Sequence, residues 1–279
     1  MGEPPSSSPP APPSYLLEGR YLAEKLVARG DTADVFSGTD TWSGEQVAIR
    51  RLRADRADRQ AAFRRMSERL FGTASARLLR AMSMGEDREG HPFLVSELLL
   101  GRDVERLGRV RWEVAIEIAR QAALAIAEMH LHGLHHGALK PSTFFVAASN
   151  EGGSRVKLLD LGTGDRTATA EKDVLALAAI LHRLLIGRPP LPPHLRTGRL
   201  LTNVAGAPPA LEEALARWLS TEGEPITAAE MAIALKAIND ATSTEFWSGA
   251  PTSATGSQLI PSRTSMIMIA DEDAEDDDE

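Results

Sequence analysis

Four histidines, His130, His132, His135 and His136, crowd the stretch MHLHGLHHGALKPSTFF. Imidazole is the commonest metal-binding side chain, so a metal centre is the first chemistry to weigh. No carboxylate shell is paired with these residues in the sequence, and the reading it favours is the end of a helix running into a loop. A second candidate is Asp160 in VKLLDLG, an acid at the end of a short strand, where a carboxylate readily caps a turn. A third is the arginine-rich stretch from Arg50 to Arg65. Asp and Ala interrupt it, so it reads as a solvated loop and helix face. The chain has no cysteine, which excludes disulfides, cysteine–zinc sites and thiol nucleophiles.

The surrounding pattern sets what must position these residues. From Tyr15 to about Arg53, LVARGDTADVF and QVAIRRL flank the turn-rich GTDTWSGE and predict adjacent strands. DRQAAFRRMSERL, 58–70, predicts a helix, and PFLVSELLL, 92–100, a buried strand that runs into a connecting hinge. The pattern then turns helical. In residues 111–133 Val114, Ile118, Ala122, Ala125 and Met129 recur at helical spacing, with Gly133 closing the helix. VKLLDLG, 156–162, predicts a strand. DVLALAAILHRLLIG, 173–187, is apolar almost all round and predicts a core helix. Two more helices are expected near 209–219 and 227–238.

Residues 1–14 are rich in Pro and Ser and predict an extended, unpacked tail without the basic and apolar regions of a signal peptide. Residues 241–279 are rich in Ser, Thr and Gly and predict a second unpacked tail. It ends in DEDAEDDDE, which carries eight acids; the rest of the chain holds 31 residues of each sign. The net charge of -8 therefore belongs to the tail, and the neutral body offers no basic stripe for nucleic acid. No apolar run reaches the length of a membrane span. Recurrent threonines, among them Thr242, Thr244, Thr252, Thr255 and Thr264, and the run Met266-Ile267-Met268-Ile269 are the features by which the tail could meet a partner.

Strands, one helix, strands and then a helical half is the order of the two-lobed protein-kinase fold, and from Tyr15 to Ala237 the chain resembles bacterial eukaryotic-like Ser/Thr protein kinases, as a degenerate member. The resemblance implies an α+β fold: a kinase-like domain over 15–240, with a small β-rich N-lobe over 15–97 and a helical C-lobe over 98–240. Ala28 to Val35 stands in the frame of the Gly-rich phosphate loop, where only Gly30 keeps a family glycine while Asp31 and Asp34 add negative charge, so a plain hairpin is the favoured reading. Val47-Ala48-Ile49-Arg50 resembles V-A-I-K, with Arg in place of the phosphate-pairing Lys. The acidic partner expected on the following helix falls at Met66, with Glu68 two positions on. Val95-Ser96-Glu97-Leu98 resembles the hinge V-x-E-Y, and Val35 and Ala48 match the residues that sandwich an adenine.

His136-Gly137-Ala138-Leu139-Lys140-Pro141-Ser142-Thr143 stands in the frame of H-R-D-L-x-x-x-N. Ala138 replaces the catalytic Asp and Thr143 the metal-binding Asn, while His136 and Lys140 match. Asp160-Leu161-Gly162 resembles D-F-G and implies a single Mg²⁺ ligand. Asp173 to Ala178 resembles D-x-W-S-x-G, with only twelve residues between Asp160 and Asp173, so the activation segment with its A-P-E is essentially missing. Its Glu would pair with an Arg at a position that here reads Glu224.

These departures predict a pseudokinase: not an enzyme, with no catalytic residue and no required cofactor. The vestigial nucleotide site comprises Gly30, Val35, Ala48, Arg50, Glu97, Leu98, Lys140 and Asp160. The role expected is that of a cytoplasmic scaffold or regulator. Its partners would be other signalling proteins, such as an active kinase or a phosphothreonine-binding module, with neither nucleic acid nor membrane. The alternative is an ATP-binding switch or a slow Ser/Thr phosphotransferase that uses ATP and one Mg²⁺.

Overall fold

A computed structural model describes residues 15–148, 154–162, 167–192, 199–220 and 224–248. The Pro/Ser-rich start and the threonine, Met-Ile and acidic segments beyond 248 lie outside the described residues. The first half builds an antiparallel sheet of six strands: β1 (Tyr15–Leu17), β2 (Tyr21–Arg29), β3 (Ala33–Asp40), β4 (Gln46–Leu52), β5 (Ala81–Glu86) and β6 (Pro92–Glu97). Their order is β1-β2-β3-β4-β6-β5. The register sets Val35 opposite Arg50, Ser37 opposite Ala48 and Ser96 opposite Ala48. Directly opposed residues project to the same side, and side chains alternate along a strand. Val35, Ala48, Arg50 and Ser96 therefore share one face. Val47 and Ile49 point the other way, into a small core with Tyr21, Phe93 and Val95.

Between β4 and β5 the chain forms a 3₁₀ turn (Ala54–Arg59) and then α1 (Gln60–Phe71). The helix expected over 58–70 thus begins with a tighter turn, and its buried residues Phe63, Met66, Ser67 and Leu70 cover the sheet. The short strand β7 (Gly101–Asp103) pairs with β8 (Phe144–Ala148), which pairs with β9 (Ser154–Leu158). The helices are α2 (Val104–Leu107), α3 (Trp112–Leu131), α4 (Ala170–Ile186), α5 (Pro209–Trp218) and α6 (Ala228–Ser248).

Alanines at 115, 119, 122, 123 and 125 make up much of the buried face of α3, and small side chains let α4 and α6 pack closely on it. Thr169 caps α4 by accepting a hydrogen bond from the Lys172 N–H at 3.3 Å. One continuous core runs from Ala33, Leu52 and α1 through α3 and α4 to Leu235 on α6, so both lobes share it. The helix expected over 227–238 continues to Ser248, past the boundary expected at 240. Among the described residues no helix is long and apolar enough to cross a membrane.

Candidate functional site

The chemistry-bearing residues converge where the six-stranded sheet meets the helical half. Asp160 follows β9, with its side chain one-fifth exposed. Its Oδ1 accepts the Gly162 N–H at 2.9 Å and lies 2.8 Å from Nε2 of His136. Nδ1 of His136 accepts the Ala138 N–H at 3.3 Å, and Nε2 faces the carboxylate. Burial works against ionisation of Asp160. The His136 contact, the nearby charge of Arg50 and the Gly162 N–H outweigh it and hold the pKa at about 2. Asp160 is therefore an anion at neutral pH, and its neighbours fix its orientation.

The loop carrying His136 is anchored from α4. Asp173, 1% exposed, accepts the N–H of His136 and that of Gly137, each at 2.8 Å, and contacts Nε2 of His130 at 3.0 Å. Burial penalises this carboxylate too, but His130 and the two amides keep its pKa below the usual range. His130 is thus bonded to Asp173, and its ring lies edge-on to that of His135 at 5.3 Å. Gly137 has φ +73°, and a Cβ there would sit 2.6 Å from the Cβ of Ala168. Ala168, two residues before α4, lies directly over Gly137, in the space an arginine at 137 would enter. Gly162, at φ +65°, is tighter still, since a Cβ would fall 2.1 Å from the His136 carbonyl oxygen.

The other expected site residues divide. Thr143 is buried at 2% exposure, and its hydroxyl accepts the Lys140 N–H at 3.2 Å. It holds the loop and has no amide oxygen to offer a metal. Lys140 and Ala138 are exposed. Gly30 is exposed, and its N–H donates to the Ala33 carbonyl at 3.1 Å within the β2–β3 hairpin, so this donor is spent inside the turn. Arg29 lies 3.6 Å from Asp34 in the same hairpin. Arg50, half-buried beside Asp160, has no acid reaching it from α1: Met66 is in the core, and Glu68 lines a separate cavity of about 250 Å³ between α1 and β5–β6. Instead α1 reaches the site through Arg69, whose Nη1 donates to the Gly162 carbonyl at 3.3 Å. Glu97 ends β6, followed by the half-buried Leu98 and Leu99.

Among the described residues, Asp87, Glu89 and His91 bring three possible metal ligands within 4.8 Å of one another. The cation among them is the Arg51 guanidinium, 2.6 Å from Asp87 and 2.7 Å from Glu89. Sequence spacing does not pick out Arg69 or Lys157. A cation on a helix or strand reads as solvent-facing, and their partners lie far away in the chain.

A model of the lipopolysaccharide kinase (Kdo/WaaP) family matches residues 101–189, the stretch that carries His136, Asp160 and Asp173. The serine/threonine-protein kinase PknL of Mycobacterium bovis is 31% identical over 164 residues, covering 56% of this chain and 40% of the relative. The serine/threonine-protein kinase pkn2 of Myxococcus xanthus is 30% identical over 158 residues, covering 54% of this chain and 19% of the relative. The crystal structure of the Mycobacterium tuberculosis PknI kinase domain superposes with a TM-score of 0.63 at 18% identity, over 81% of this chain and 98% of that one.

The chain is similar in sequence to bacterial eukaryotic-like kinases and shares the fold of a kinase domain.

The two-lobed α+β fold expected from the motifs is the fold observed. The expectation that the chain is not an enzyme is corrected. The relatives are named serine/threonine-protein kinases, and the matching family model is itself one of kinases, so the likeness points to an enzymatic family. Loss of the base at Ala138 costs about 10²–10⁴ in rate and does not by itself abolish transfer. The chain spans less than half the length of the curated relatives it matches.

Proposed function

We propose that the chain is a phosphotransferase that binds ATP with one Mg²⁺ and acts on a hydroxyl acceptor. The observation that carries this reading is Asp160: a carboxylate kept ionised within a largely buried pocket, oriented by His136 and Gly162 and lying in the field of Arg50. Keeping an anion in such a setting costs free energy unless a cation or donors meet it.

The residues present fit the nucleotide in part. Val35 and Ala48 give one face of the sheet the small apolar surface that a flat base needs, with the buried Ser96 opposite Ala48. Asp160 fits a single Mg²⁺, and Thr143 does not fit a second. Mg²⁺·ATP supplies the phosphoryl group. Arg50 and Lys140 bring positive charge to bear on phosphate oxygens, and Asp173 holds the loop that carries Lys140. Phosphoryl transfer rests mainly on positioning and charge, with little proton chemistry demanded of the protein. Ala138 supplies no general base, and such a base is worth about 10²–10⁴ in rate. The enzyme is accordingly a slow one, and the acceptor is a hydroxyl that can lose its proton to water.

Calorimetric titration with ATP, with and without Mg²⁺, tests the reading together with transfer of labelled γ-phosphate. The expected result is Mg²⁺-dependent binding and slow label transfer, both lost in Asp160→Ala. Absence of binding at millimolar ATP overturns the proposal. Binding without transfer leaves a nucleotide-binding protein and overturns the enzymatic half.

A further inference from the structure

Lys157 lies on β9, remote in sequence from the hinge, yet its ammonium reaches the Glu97 carboxylate in a close ion pair. The two side chains are 14% and 21% exposed. The same ammonium donates to the Leu78 carbonyl at 3.3 Å. Oε1 of Glu97, the atom facing Lys157, also accepts the Arg80 N–H at 2.8 Å, and the Glu97 N–H donates to the Arg80 carbonyl at 3.0 Å. Leu79 N–H donates to the Leu158 carbonyl, and Leu158 N–H to the Arg77 carbonyl, each at 2.9 Å. Segment 77–80 is thereby stitched to β9 on one side and to the end of β6 on the other. Lys157 and Glu97 close this ring of bonds with an ion pair.

We propose that Lys157 is a positioning residue for nucleotide binding: by holding Glu97 it fixes the backbone of residues 96–98 against which the base is received. The inference rests on the nucleotide site proposed above. Glu97 enters through its backbone. Its side chain is committed to Lys157 and Arg80, and a mostly buried carboxylate deprived of its cation draws in water or turns outward. Either response moves the chain directly before Leu98. The triphosphate side of the cleft, with Asp160, lies past Leu158 and keeps its own supports, so loss of the pair should weaken recognition of the base and leave the metal-dependent part intact.

The test measures binding of adenosine, ADP and ATP, with and without Mg²⁺, to the full chain and to Lys157→Met, Lys157→Arg, Glu97→Gln and the double variant Lys157→Met/Glu97→Gln, with melting temperature followed in parallel. Lys157→Met is expected to weaken all three ligands by a similar factor, about tenfold, as one partner of a largely buried pair is removed. The ratio gained on adding Mg²⁺ should stay that of the wild type. Lys157→Arg should bind close to wild type, and the double variant should lose no more than the worse single one. The inference is overturned if the wild type binds and the variants bind equally well while melting lower, which is a purely structural role. It is also overturned if the loss is confined to the Mg²⁺-dependent increment. A wild type that binds none of the three ligands overturns the nucleotide site itself, and this inference with it.

Discussion

Gly137 and Ala168 form a matched pair. The family pattern has Arg where Gly137 stands, and φ +73° with a Cβ-to-Cβ approach of 2.6 Å shows why a side chain no longer fits. Restoring a residue there forces both a left-handed backbone and a clash. Gly137→Ala should cost about 1–3 kcal/mol in chemical denaturation. Adding Ala168→Gly should recover only the steric share, because the backbone angle is unchanged. Asp173 is the other residue on which the loop depends. It meets two amides and His130 from a buried position, so Asp173→Ala should destabilise by about 3–5 kcal/mol, read from the same denaturation curves. Residue-scale legibility followed the chemistry. His136, Asp160 and Asp173 are visible because a kinase-like frame fixes their spacing. Arg69 and Lys157 are invisible because each acts through a backbone carbonyl or an acid that only the fold brings near.

At the scale of elements, the helices were the most legible. α4 is apolar almost all round and is buried accordingly, and the spacing in α3 predicted its span to within a residue or two at each end. The strand AMSMGE, β5, carries no alternation strong enough to predict it, and it exists because β6 and α1 give it partners. The end of α6 misled for the opposite reason. Ser and Thr in ATSTEFWS favour caps and turns, yet the helix continues through them to Ser248. The alanines of α3 make a packing prediction. Ala123, with no exposed surface, should resist enlargement: Ala123→Leu is expected to cost about 1–3 kcal/mol, measured by thermal unfolding, whereas a change at the exposed Val114 should be near neutral.

Across the whole molecule, one core joins the two lobes, so a single cooperative transition is expected. Its dependence on acid follows from the buried carboxylates. Asp160, at about 2, and Asp173 both have folded pKa values below those of the unfolded chain, where an aspartate titrates near 3.9. Each contributes stability that is complete above about pH 4 and is lost as the pH falls through the folded value. Stability should thus change little through them between pH 7 and about pH 5 and drop steeply below about pH 4. Asp160→Asn should flatten part of that drop. Denaturation midpoints collected across this range check both statements.

The Asp173 clamp also sets a clock. The amides of His136 and Gly137 sit in an irregular loop, where exchange with solvent deuterium is ordinarily fast, yet both donate to a buried carboxylate on a core helix. Their protons cannot leave until α4 and the loop separate. These two amides should therefore exchange as slowly as the interior of α4, while exposed loop amides without such an anchor exchange orders of magnitude sooner. Deuterium would then show a loop with the lifetime of a helix.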